Sequence, residues 1–333
     1  MNTFGENIRL TIFGESHGEA IGMVLDGFPA GEDIDIDEVK KQLARRAPGG
    51  ETATPRKEPD EPVFLSGLFN GHSTGAPITA MIRNTDTRSQ DYHPEKPRPS
   101  HADLTAQIKY RGSNDFRGGG PFSGRLTAAM VLAGAICEQA LARRGVTVSA
   151  EILRVGAVTR DTADDFDFAM KKEILDARAS GDSVGGVIEC TATGVPAGIG
   201  GLLFGGMESR IAAALYAIPA VKGVEFGAGF SIAEMRGSQA NDPICIEDGR
   251  IFTETNNAGG INGGLTNGMP LVVRCAFRPT PSISREQKTV DLLKQENVKL
   301  RVAGRHDPCV VPRAVPVVES MLAFCILDAI CGD

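Results

Sequence analysis

The sequence predicts a mixed α and β fold, one domain made of two similar halves that meet near residue 150. Three observations carry this. First, Gly27-Phe28-Pro29-Ala30-Gly31 returns as Gly194-Val195-Pro196-Ala197-Gly198, each time after an apolar segment and before a stretch of helical period. Second, Gly75-Ala76-Pro77-Ile78 and Gly268-Met269-Pro270-Leu271 each lead into an apolar, strand-like run. Third, Arg125 and Arg313 each open a long apolar helix. Four paired features in one order suggest halves of about 1–150 and 151–333, with chance recurrence of common turn residues as the alternative. The repeat is far longer than a solenoid unit, so it predicts two strand-and-helix layers related by a pseudo-two-fold.

The elements follow in order. Residues 9–13 and 21–25 read as strands. Ile36, Val39 and Leu43 repeat at helical spacing. A strand follows Pro77, and the first long helix covers 126–141. In the second half, 164–179 reads as a surface helix and 187–191 as a strand. Met207, Ile211, Leu215 and Ile218 keep helical spacing, and a strand follows Pro270. Residues 288–292 and 298–302 form a polar hairpin in which Val298, Leu300 and Val302 alternate. The second long helix covers 314–330. Residues 51–62 and 83–99 are polar, contain proline and lack period; loops of that length are usually functional or mobile.

Composition narrows the function. Forty glycines and 19 prolines with 5% aromatics imply many tight turns. A net charge of -7 argues against a nucleic-acid binder, so an anionic ligand needs a local arginine cluster. We find no apolar run long enough to span a membrane, and the N-terminus lacks the layout of a signal peptide. Seven cysteines, an odd number without a CxxC pair, read as reduced thiols of a cytosolic protein, not as disulfides or a metal site.

Five histidines can be weighed singly. His17 follows a strand within Gly14-Glu15-Ser16-His17-Gly18, a common setting for a catalytic group and equally for a hydrogen-bonded turn histidine. His101 lies in Arg98-Pro99-Ser100-His101-Ala102-Asp103, where proline stiffens the approach and Arg98 offers a bidentate anion donor. His306 and Asp307 lie in Gly304-Arg305-His306-Asp307-Pro308-Cys309; His72 and His93 read as surface residues. The densest motif runs from Lys109 to Arg125 and places three glycines before a helix, with Ser123 and Arg125 at its mouth. Close backbone approach and free helix N–H groups make an anion site, though neither a Walker loop nor a dinucleotide fingerprint. A second run, Asn256 to Gly264, contains two Gly-Gly pairs and reads as backbone against a flat ligand or as a flexible turn.

Together these segments resemble the chorismate synthase family across nearly the whole chain, joined by Asn84-Thr85-Asp86, Ala220-Val221-Lys222-Gly223-Val224-Glu225 and Arg236-Gly237-Ser238-Gln239. The resemblance implies a β-α-β sandwich with helices enclosed between sheets, assembled as a homotetramer in the cytoplasm. It implies an anti-1,4-elimination of phosphate from 5-enolpyruvylshikimate 3-phosphate, giving chorismate, with reduced FMN required although no net redox change occurs. The C–H bond broken is not acidic enough for a side-chain base, so the cofactor carries the hard step and the protein supplies orientation and charge. By position, the resemblance makes His17 the proton donor at the leaving phosphate. It sets His101 at the flavin N1/O2 edge and Asp307 near N5. Arg46, Arg98, Arg125 and Arg305, with Ser123, would hold the substrate. Ser123, Ala220, Gly263, Arg278, Pro279, Thr280, Pro281, Ser282 and Arg305 match flavin-contact positions. Arg46 also matches an NADPH contact in members that reduce their own flavin; no metal is implied.

The chain departs from the family's pattern in places. Pro121 and Phe122 stand where many members have Arg-Ser, and a second arginine after the Arg46 motif falls near Glu51 or Thr52, with Arg56 as a candidate substitute. Family lysine is Arg278 and family asparagine is Pro219. On these changes, a non-catalytic flavin- or phosphate-binding relative is the alternative; the presence of His17, His101 and Asp307 favours the enzyme.

Overall fold

A computed structural model describes residues 2–50, 52, 59–86, 92–302 and 306–332. Its helices are α1 (Ile36–Arg46), α2 (Asp103–Tyr110), α3 (Thr127–Arg143), α4 (Phe166–Ala179), α5 (Met207–Tyr216), the single turn α6 (Gly237–Ala240) and α7 (Val311–Ile330). Two five-stranded sheets accompany them. The first is ordered Thr3–Phe4, Arg9–Gly14, Ala20–Asp26, Ile78–Arg83, Pro62–Ser66; the second Val221–Phe226, Leu271–Phe277, Gly186–Thr193, Thr147–Val155, Val158–Thr159. Every pairing is antiparallel.

Setting aside the two-residue edge strands, both sheets use one plan. The first strand lies beside the second, the fourth comes next and the third takes the far edge. A helix, α1 or α5, follows the second strand; a long helix, α3 or α7, follows the fourth. The long helices pack on each other, α1 on α3 and α5 on α7, while α3 covers the first sheet and α7 the second. The helices are thus enclosed between two sheets, the α+β sandwich that the resemblance implied.

Side-chain alternation explains the layering. Ile78, Ala80 and Ile82 are buried and pair with Leu25, Met23 and Ile21. Leu271, Val273 and Cys275 face Ala192, Cys190 and Ile188 in the same way. Each such strand turns one apolar face to the helices, and each fully buried Ile or Leu stabilises the fold by about 1.5–3 kcal/mol. Helix α1 keeps the predicted period, with Val39 and Leu43 buried, and is capped by Asp35, whose carboxylate accepts from the N–H groups of Asp37 and Glu38.

Helix α3 is apolar on nearly all sides and buried from Thr127 to Cys137, as its central place requires. With the preceding turn, Gly124–Arg143 is long and apolar enough to cross a membrane by length and composition, so the expectation that no such run exists is corrected; most of it is buried inside the fold. The hairpin forms from Glu286–Asp291 and Glu296–Arg301, each strand starting two residues earlier than predicted. All seven cysteines are free, and five of them are buried.

Candidate active site

One cavity, about 240 Å³, opens where α1 and α5 end and α3 and α7 begin. Arg46 and Pro48 come from the end of α1, and Ile218, Pro219 and Ala220 from the end of α5. Gly124, Arg125 and Thr127 come from the start of α3; Val310, Arg313 and Ala314 from the start of α7. Two helix N-termini therefore face one space, and their exposed N–H groups and dipoles favour negative charge there.

The glycine loop brings the two histidines to this space. Gly118, Gly119 and Gly120 all have positive φ, and the first two pack against imidazoles. A Cβ on Gly118 would stand 2.5 Å from His17 Cδ2, and one on Gly119 3.1 Å from His101 Cε1. Any side chain at Gly118 would displace His17. The Ser16 N–H donates to the Gly120 carbonyl at 3.2 Å, tying the His17 turn to the loop. His17 meets the Tyr92 ring edge-on, with centroids 5.4 Å apart. His101 lines the cavity; His17 stands behind Gly118, which does.

His101 is fixed by charge. Its Nδ1 lies 2.5 Å from Asp103 Oδ1. Arg98 donates from Nε and Nη2 to the same carboxylate at 2.7 and 2.8 Å, and from Nη1 to Ser282 Oγ at 3.1 Å. Burial pushes the Asp103 carboxyl up, but the hydrogen bonds from Arg98 and His101 outweigh it and hold the group far below the usual carboxylate range. Arg98 is therefore committed in large part to Asp103, rather than standing open as an anion clamp.

Arg46 and Arg125 converge on Asp60. Arg46 Nη2 donates to Oδ2 at 2.7 Å and Arg125 Nη1 donates to Oδ1, with all three side chains almost wholly buried. Arg46 Nη1 also reaches Thr127 Oγ1 at 3.3 Å, and Arg125 Nε reaches Asn84 Oδ1 at 3.0 Å. Burial pulls the Arg46 guanidinium down to about 10 against the support of Asp60, so it stays charged near neutrality. Burial raises the Asp60 carboxyl, yet the two arginines hold it below its ordinary value. Ser123 caps the turn before α3, its Oγ accepting from the Arg125 N–H at 3.3 Å.

The opposite wall is the segment after Leu271–Phe277. Arg278, Thr280, Pro281 and Ser282 line the cavity, as does Asp307, which accepts a hydrogen bond from Arg313 Nη1. Arg313 Nε also donates to the Arg46 carbonyl at 3.0 Å, joining the two walls. Ala220 holds φ at 78°, and its carbonyl accepts from the Arg278 N–H at 3.0 Å. A non-glycine residue in that region carries strain, which proteins concentrate at binding sites. Thr280 Oγ1 and Arg46 Nε are buried without a hydrogen-bond partner among the described residues. These two donors, with the arginines and helix ends, fit a flat polar ring system and a phosphate.

Of the residues singled out from sequence, Gly263 and Pro279 do not line this cavity; Gly263 sits in the turn between Ile261–Asn262 and Leu265–Thr266. Arg305, Glu51 and Arg56 lie outside the described residues. Phe122 lines the cavity beside Tyr110, so an aromatic ring occupies the place where many members carry a polar side chain. His72 and His93 are exposed. Sequence reasoning missed Asp60, Thr127 and Arg313 as members of the site.

Fold and cavity define a class: an enzyme whose site pairs histidines with buried arginines at two helix N-termini, built around an anionic small molecule. Comparison with known proteins identifies the family. The chorismate synthase family model matches residues 8–331. Chorismate synthases of Thermococcus kodakarensis and Archaeoglobus fulgidus are 49% and 48% identical to the chain, covering 97% and 98% of it and 96% of each relative. A crystal structure of chorismate synthase superposes with a TM-score of 0.76 at 30% identity, over 98% of this chain and 92% of that one. The chain belongs to the chorismate synthase family, and its activity is that of a carbon–oxygen lyase of the shikimate pathway.

Proposed function

We propose that this lyase converts 5-enolpyruvylshikimate 3-phosphate to chorismate and phosphate by anti-1,4-elimination, with reduced FMN as cofactor. The supporting observation is the convergence of Arg46, Arg125, His101 and Asp307 on one cavity, with His17 one glycine behind its wall. In this reading Arg46 and Arg125 bind the anionic substituents, and the ends of α3 and α7 add their N–H groups. His17 donates a proton to the departing phosphate. His101, held by Asp103 and Arg98, presents positive charge to the isoalloxazine edge, and Asp307 accepts and passes on the proton lost from carbon. Ser123, Ala220, Thr280 and Ser282 would hold the flavin. When bound, reduced FMN supplies the electron density that an unactivated C–H bond requires.

The site residues come from both parts of the chain, about 1–150 and 151–333, and we propose that these are two halves of a single domain. The shared strand order of the sheets supports it. A homotetramer completes the proposal; exposed Leu202, Leu203, Phe204 and Phe230 offer apolar surface for it, and sedimentation analysis tests it. Seven free thiols suit a reducing cytoplasm. The deciding experiment for the activity is anaerobic. Phosphate and chorismate should appear together when substrate meets the protein with dithionite-reduced FMN. Flavin binding without product would favour the non-catalytic alternative.

A further inference from the structure

We propose that Asp60 is a positioning residue, which locks Arg46 and Arg125 into the anion-binding arrangement before any ligand arrives. This rests on the reading of those arginines as substrate contacts. Asp60 is buried and does not line the cavity, so it acts through its partners. One carboxylate oxygen serves each arginine: Oδ2 accepts from Arg46 at 2.7 Å and Oδ1 accepts from Arg125. Asp60 takes φ of 45°, a left-handed backbone conformation that aspartate tolerates better than most residues. That backbone turn brings the carboxylate between the two guanidiniums at the entry to Pro62–Ser66.

Two guanidiniums buried side by side repel, and without a bridging anion they would separate. One carboxylate between two such cations leaves one positive charge over. Arg313 adds no further surplus, because it is paired with Asp307. Arg46 keeps one buried donor, Nε, without a partner among the described residues. The cluster is thus both rigid and short of negative charge, as a preorganised anion site requires.

A merely neutralising Asp60 makes the opposite prediction. Removing a carboxylate that only cancels charge should tighten anion binding; removing one that positions the arginines should loosen it. Inorganic phosphate is the probe, titrated calorimetrically into the full-length protein without flavin. Asp60→Asn should lower phosphate affinity at least tenfold. In the anaerobic assay it should lower kcat/KM by roughly a hundredfold, with KM raised. Unchanged or tighter phosphate binding by the folded variant overturns the proposal. Phosphate binding does not require the elimination, so an inactive wild type that shows the same loss in Asp60→Asn would count against the assigned reaction and not against this role.

Should Asp60→Asn fold poorly, the comparison of Arg46→Gln with the double variant R46Q/D60N decides. With one guanidinium gone there is no pair to hold apart, and Arg125 keeps Asn84 and the Arg83 carbonyl. The two proteins should then bind phosphate equally within twofold or the double variant more tightly. A further tenfold loss in the double variant overturns the proposal.

Discussion

His17 and His101 are held in different ways, and that difference shapes what their replacement should do. His17 is packed by Gly118 and Tyr92, whereas His101 is gripped by Asp103 and shares Arg98 with it. Neither belongs to the apolar core. His17→Ala and His101→Ala should therefore fold normally and each lose roughly ten- to ten-thousand-fold in turnover, the range for a general acid or an electrostatic partner. Circular dichroism and the anaerobic assay check this; wild-type turnover in both variants would sink the assignment. At this scale the sequence was most legible where chemistry is packed into short motifs. The two histidines, Arg98 and Arg125 each stand in a glycine- or proline-bearing run whose stiffness is visible locally. Asp60 was not legible. It lies in a polar, proline-bearing stretch, and its burial is created by arginines from α1 and from the start of α3, remote in sequence.

The central helices show what an element can and cannot reveal in advance. Helices α3 and α7 were readable because long apolar stretches have few other places to go. Their crossing was not, since it depends on one pair. A Cβ on Gly134 would stand 2.0 Å from Ser320 Cβ and 2.4 Å from its Cα. Gly134→Ala gains about 1 kcal/mol in helix propensity, but overpacking a close helix contact costs about 1–3 kcal/mol. Overpacking should win, and Tm should fall by a few degrees, with recovery in the double variant G134A/S320G. A Tm at or above wild type in Gly134→Ala alone would show that the helices part without cost. The strands Thr147–Val155 and Val221–Phe226 escaped prediction because their alternation is broken by small or charged residues and completed only by pairing.

Beside that crossing, Glu138 of α3 keeps part of its surface accessible. Burial of its carboxyl, reinforced by Glu319 and opposed by Arg45, pushes it up to about 8. A carboxyl raised in the fold binds its proton more tightly there than in the unfolded chain. Its contribution to stability is complete below the unfolded value of 4.5 and fades as pH rises toward about 8. Glu138→Gln should flatten the decline of Tm between these limits and be the more stable form at pH 8. Parallel Tm profiles for the two proteins would remove Glu138 from the account.

For the whole molecule, the reductant is the open question. Members that reduce their own flavin use two arginines toward NADPH, and this chain keeps Arg46 but has Glu51 or Thr52 at the second place. Loss of a charge-assisted contact costs about 1.5–3 kcal/mol, roughly ten- to a hundredfold in affinity. We expect activity with dithionite-reduced FMN and almost none with NADPH and FMN alone. Sustained chorismate formation from NADPH as sole reductant, perhaps through Arg56, would refute this. The overall plan was more legible than its packing. Recurring G-x-P-A-G and G-x-P motifs mark turns, and turns set the order of strands, but nothing local states which layer faces which.

The connection at residues 144–146 joins α3 to Thr147–Val155 in three residues. Arg46, Arg98 and Arg125 stand on one side of it in sequence, and Arg278, Asp307 and Arg313 on the other. The site is therefore distributed like that of a heterodimer, with both subunits translated as one polypeptide. Their stoichiometry is fixed at synthesis, and a tether this short keeps the second part at an effective concentration on the order of millimolar or above. Neither part needs a high-affinity interface of its own to find the other, so the surface between them is free to hold buried charge and a cavity in place of continuous apolar packing.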